Sequence, residues 1–178
     1  MKKNAVMLLG FALISMNANS IEKPLLLTTT IDINNLYADS ITNVEFEPAT
    51  LELSLNSDNT SFETALTALK ISTNIPKDVS SIPYSATMIQ NTSSCTNFTG
   101  EEFPQLDNDS PFVRVKFEGS EVSEDVPVEI DDFNLDDGTY KTSEHDIALE
   151  FKPFSELEIN GSPKECSGEI VFSIGVDI

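Results

Sequence analysis

The stretch Glu169 to Ile178, EIVFSIGVDI, decides the fold class. Ile170, Phe172, Ile174, Val176 and Ile178 fall on one face; Val171, Ser173, Gly175 and Asp177 fall on the other. Successive side chains of an extended chain point to opposite faces, so this period of two predicts a strand with one face turned to a core. The same alternation recurs upstream in Leu51 to Leu55, Phe112 to Phe117 and Ile147 to Phe151. Between the runs stand turn formers: Asn56 to Asn59, Asp107 to Ser110, and Asp136-Asp137-Gly138. Phe62 to Ile71, with its alanines and leucines, has the one composition that suits a helix as well; we read it as a strand. Many short strands with polar turns predict an all-β, immunoglobulin-like sandwich. Tryptophan, a usual landmark of that fold, is absent.

The first twenty residues read differently. Lys2 and Lys3 precede a short apolar run, Ala5 to Ile14, and Ala18 and Ser20 are small residues suited to cleavage. That is the pattern of a secretory signal peptide, and the run is shorter than the roughly 20 residues a membrane span needs. The leader carries two lysines and no acid. Its removal from the 178 residues leaves 158, with 8 Lys and Arg against 30 Asp and Glu, a net charge of −22. One domain with a full core fits that length. Such acidity argues against nucleic acid and anionic membranes as partners.

Cys95 and Cys166 are the only cysteines. In an exported chain they are expected to pair, closing a long loop at a gain of about 4 kcal/mol. With one histidine they make a poor zinc set.

Residues that could carry chemistry read as structure. His145 lies between Glu144 and Asp146, and no G-x-S-x-G motif accompanies it, so it reads as solvated or structural. Asp131 to Gly138 resembles a calcium loop. However, Asp137 stands where the EF-hand glycine is required, and Ser143 where the bidentate acid should be. An acidic turn is the expectation. Arg114, the lone arginine, is expected to point outward between Val113 and Val115. Asn59, Asn91, Asn97, Asn108 and Asn160 begin N-x-Ser/Thr sequons and read as polar turns. No enzyme, cofactor or metal is expected.

The segment after the leader, Ile21 to Tyr37 (IEKPLLLTTTIDINNLY), alternates too. Leu25, Leu27, Thr29, Ile31 and Ile33 share a face. Ile21-Glu22-Lys23, an aliphatic and threonine strand, then Ile31-Asp32 together resemble the mature start of the major pilins of class 5 fimbriae, the colonisation factor antigen I type. Weaker likenesses run through Phe62-Glu63-Thr64, Ile71 to Asn74, the Asp137 to Tyr140 turn, Ile147 to Phe151 and the terminal strand. The resemblance implies a sandwich lacking its last strand, with residues 1–20 as leader, 21–36 as donor-strand extension and 37–178 as pilin domain. It implies polymerisation by donor-strand exchange with neighbouring copies or other pilins, a periplasmic chaperone and an outer-membrane usher as partners, and a cell-surface fimbria that supports adhesion. Leu25, Leu27, Thr29, Ile31 and Ile33 would be the donor face. Ile170, Phe172, Ile174, Val176 and Ile178 would border the receiving groove. The two cysteines depart from many of those pilins and leave a major or a minor role open. The rival reading is a secreted monomeric sandwich that binds carbohydrate, with or without calcium.

Overall fold

A computed structural model describes residues 40–104, 111–157 and 163–176. The chain divides into two units, Met1–Ile31 and Asp32–Ile178, and the described residues all belong to the second. Those residues form ten strands: β1 (Ile41–Glu47), β2 (Ala65–Pro76), β3 (Tyr84–Asn97), β4 (Glu102–Pro104), β5 (Val113–Phe117), β6 (Ser120–Val122), β7 (Pro127–Ile130), β8 (Leu135–Asp136), β9 (Tyr140–Phe151) and β10 (Pro163–Val176). All pairings are antiparallel.

One sheet runs β1-β2-β9-β5-β6, with β8 sharing the β5 edge of β9. The other runs β10-β3-β4, with β7 sharing the β4 edge of β3. The protein is thus an all-β, two-sheet sandwich, as the alternation predicts. Between the sheets lies a core of Leu69, Ile71, Ile75, Tyr84, Ala86, Met88, Val115, Phe117 and Ile147, with Ile170, Phe172, Ile174 and Val176 of β10 packed against it.

The strands differ from the sequence reading in informative ways. The 62–71 run becomes strand only from Ala65 and continues to Pro76. Leu51 to Leu55 alternates, yet only Leu55 forms a bridge, to Phe62. Pro48 follows the end of β1 and brings no amide hydrogen for a ladder. Asn56 then turns the chain back, its Oδ1 accepting the amides of Thr60 at 2.9 Å and Ser61 at 3.3 Å. Asp107 to Ser110 lies outside the described residues. At Gly138 φ is +98°, which glycine adopts without a Cβ penalty. The carboxylate of Asp137 accepts the amides of Tyr140 and Thr139 there and is held below the ordinary carboxylate range by them.

β3 holds the feature that sets the interior. Val171 pairs with Gln90 and Phe172 with Met88, so Ile89 is an extra residue, a β-bulge. Before it the even-numbered Tyr84, Ala86 and Met88 face inward; beyond it Asn91, Ser93, Cys95 and Asn97 do. The Glu124 carboxylate accepts the Asn91 amide at 2.5 Å and Asp125 donates its amide to the Met88 carbonyl, which covers the bulge.

Candidate functional site

The β1 edge of one sheet and the β10 edge of the other lie on the same side of the sandwich. They meet where Phe46 packs edge-on against Phe172, centroids 6.0 Å apart. Past that contact β1 has ended and the two edges part. A cleft of about 840 Å³ opens between them. One wall is Phe46 and the unladdered segment Pro48 to Leu55; the other is Cys166 to Ile170 of β10. Its floor includes Thr67, Ile147, Leu149, Phe151, Phe112 and Asn91. Among the described residues, β10 pairs with β3 alone, so its second edge faces this cleft.

Local chemistry builds each wall. Ser61 Oγ donates to the carbonyls of Phe151 and Lys152, and Phe154 donates its amide to Thr60, so the Leu51 to Glu63 loop is tied to the end of β9. That holds Phe62 against Phe112, Phe151 and Phe154, with centroids at 6.3, 5.4 and 5.2 Å. Opposite, Cys166 faces Cys95 in the ladder and the two are bonded, Cα atoms 4.0 Å apart. The bridge therefore joins neighbouring strands of one sheet. Gly168 stands between Cys166 and Ile170; a Cβ there would meet the Thr92 carbonyl oxygen at 2.6 Å, so only glycine lets β10 lie this close to β3.

Asn91 is 4% exposed. Its Nδ2 donates to the Val113 carbonyl at 2.8 Å, which reaches across to the opposite sheet and fixes the orientation of the amide. Its Oδ1 is buried and, among the described residues, has no hydrogen-bond partner.

Of the residues singled out in sequence, Ile170, Phe172, Ile174 and Val176 are half-buried on the inner face of β10. Leu25, Leu27, Thr29, Ile31, Ile33 and Ile178 lie outside the described residues. Arg114 projects outward and, with Lys116, meets Glu150 at 3.7 and 2.6 Å. In the acidic loop the carboxylates of Asp132, Asp136 and Asp137 are engaged within the chain. Asp132 accepts from Lys141 Nζ at 2.8 Å and from the amides of Phe133 and Ile82 at 2.9 and 3.2 Å. Burial pushes its pKa up, and Lys141 with those two amides outweighs that, so the net shift is downward.

His145 is buried, 5% exposed, and lies two residues before the cleft-floor residue Ile147 on β9. Its Nε2 lies 2.7 Å from Tyr84 Oη and its Nδ1 3.1 Å from Glu118 Oε1; Tyr84 Oη is also 2.7 Å from Ser143 Oγ. Tyr84 is stacked on Phe133, and burial pushes its phenol up to about 12.

The cleft residues Phe46, Phe62, Phe112, Phe151 and Asn91 were not legible as a site. Their one sequence signal is the count of 11 phenylalanines in a chain without tryptophan. No described helix is long and apolar enough to cross a membrane.

No protein-family model matches the chain, and neither does any curated protein. Among solved structures it is similar to the CooA pilin subunit from enterotoxigenic Escherichia coli. That likeness has 14% sequence identity and a TM-score of 0.42, and covers 77% of this chain and 100% of that one. The likeness in itself assigns neither family nor function.

Proposed function

We propose that the chain is a structural subunit of a surface fimbria, of the class 5 type that its sequence resembles. It polymerises when residues 21–36 of one copy add as a strand to the β10 edge of another. The observation that carries this reading is the cleft. An apolar-lined opening lies beside an edge strand whose second side, among the described residues, has no ladder partner. Exposed edges of this kind invite strand addition, where main-chain bonds give affinity and side-chain pockets give specificity.

The occupant's chemistry follows from the lining. It needs an extended segment with large apolar groups at every second position, and Leu25, Leu27, Ile31 and Ile33 supply them. Burying four such side chains contributes on the order of 6–12 kcal/mol. The donor and acceptor surfaces are different patches, so the contact is heterologous and propagates as a filament. A periplasmic chaperone would cover the cleft before assembly at an outer-membrane usher, and the assembled fibre would support adhesion.

The test is to coexpress the chain with chaperone and usher and image fibres. Leu27→Asp or Ile31→Asp would bury an unpaired charge in the neighbour while leaving the chain's own cleft intact. Such variants are expected to fold and to stop assembling. Normal fibres from either variant, or from a chain deleted for residues 22–34, would refute the reading.

A further inference from the structure

We propose that Asn91 is a polar register pin in the cleft, and that Thr29 of an incoming copy is the residue it selects. The inference rests on the strand-addition reading above. Among the described residues, Asn91 Oδ1 is a buried acceptor with no hydrogen-bond partner, in a cleft whose interior is otherwise apolar apart from the hydroxyls of Thr67 and Ser93. Its amide cannot rotate to hide that oxygen, because Nδ2 is bonded to the Val113 carbonyl. An occupant that sets only hydrocarbon against Oδ1 leaves it unsatisfied, at a cost in affinity. An occupant that brings one hydroxyl satisfies it.

The apolar face of Leu25 to Ile33 carries one polar member, Thr29, at its centre. Residues two apart on a strand are about 6.6 Å apart. With Thr29 at Asn91, Leu27 and Ile31 therefore reach the two flanks. One flank is Phe62, Phe112 and Phe151 on the disulfide side; the other is Phe46 and Ile147 on the Phe172 side. A slip of two residues puts a leucine or isoleucine on Oδ1 and the hydroxyl among phenylalanines. The pin thus discriminates between registers that apolar burial alone leaves nearly equal.

Peptides spanning residues 21–36 test this. The recipient is the full mature chain carrying Leu27→Asp and Ile31→Asp, with its cleft residues unaltered, and binding is read by fluorescence anisotropy. The native peptide is expected to bind at one per chain and Thr29→Ser about as well. Thr29→Val should bind about tenfold more weakly, which is ~1.4 kcal/mol. A peptide with Leu27→Thr and Thr29→Leu, identical in composition, should bind more weakly still. In a recipient also carrying Asn91→Leu, the preference for the native peptide over Thr29→Val should vanish. Equal binding of the native and Thr29→Val peptides, or a preference that survives Asn91→Leu, overturns the pin and leaves strand addition standing. If no peptide binds, both fall. The composition-matched peptide decides the register even where Asn91→Leu does not fold.

Discussion

The two halves of β9 face the same interior and are filled by opposite chemistry. Toward its start the inward residues are Lys141, Ser143 and His145, all buried. Toward its end they are Ile147, Leu149 and Phe151. The polar half is closed: Lys141 meets Asp132, Ser143 and His145 meet Tyr84, and Glu118 reaches in from the β5–β6 turn. The apolar half is open, cleft between β1 and β10, and is held by the Cys95–Cys166 bridge. Burying polar groups is tolerable only where they satisfy one another, so the closed half must be finished within the chain. Apolar walls carry no such demand, and that half can be left for a strand from outside. On the proposed reading, the closed half is completed within the chain and the open half is completed by assembly.

The strongest way to break this contrast is to remove the bridge. Replacing both Cys95 and Cys166 by alanine frees a loop of sequence separation 71 and should cost about 4 kcal/mol in denaturant unfolding. A loss well under 1 kcal/mol would show that the open half holds itself together.

Next in size is Tyr84→Phe, which leaves Ser143 Oγ and His145 Nε2 without their shared partner. A cost of about 2 kcal/mol is expected in the same assay. The phenol also gives a pH signature. Its folded pKa is raised to about 12, so its contribution is fully present below the ordinary tyrosine range near 10 and is lost as pH rises toward 12. Asp132 works in the opposite direction. Its folded pKa is depressed, so its contribution is present above about 4, the unfolded value, and is lost as pH falls through the folded one. Alkaline unfolding that is unchanged in Tyr84→Phe would contradict the first assignment. Acid unfolding that is unchanged in Asp132→Asn would contradict the second.

Gly168→Ala sharpens the comparison from the open side. The new Cβ pushes on the Thr92 carbonyl and should separate β10 from β3 locally, at about 1–2 kcal/mol. The smallest stability effect belongs to Leu53→Ser on the cleft wall. Leu53 is only half-buried, and unfolding free energy should move by no more than about 0.5 kcal/mol. Yet the variant should take up the 21–36 peptide less tightly than the native chain. If stability falls sharply while uptake is unchanged, Leu53 belongs to the core and not to a docking wall.

How much of this was legible beforehand follows from what period-two patterning can carry. Ile170 to Val176 and Ile147 to Phe151 show clean alternation, and both are strands facing the core. The Asp136 to Gly138 turn and the cysteine pairing were also readable. Asn91 was not, because the bulge at Ile89 inverts the phase of β3 midway and turns an apparent surface asparagine inward. Nor were Lys141, Ser143 and His145, since polar residues on a strand normally mark its wet face. Only their partners on β3, the Phe133 loop and the β5–β6 turn make them tolerable inside. Leu51 to Leu55 misled in the other direction: the alternation is real, but it lines a cleft without a ladder partner. The donor face, residues 25–33, lies outside the described residues, so its place rests on pattern and resemblance.

The central claim is that the free edge of β10 receives a strand. Amide hydrogen exchange of Cys166 to Ile170, the stretch of β10 that walls the cleft, compared between unassembled chain and assembled fibre, tests it most directly. The amides of β10 that are not bonded to β3 should exchange quickly in the unassembled chain and gain strong protection in the fibre, as each acquires a main-chain acceptor. Fibres in which those amides exchange as fast as in the unassembled chain would show that subunits join by some other surface.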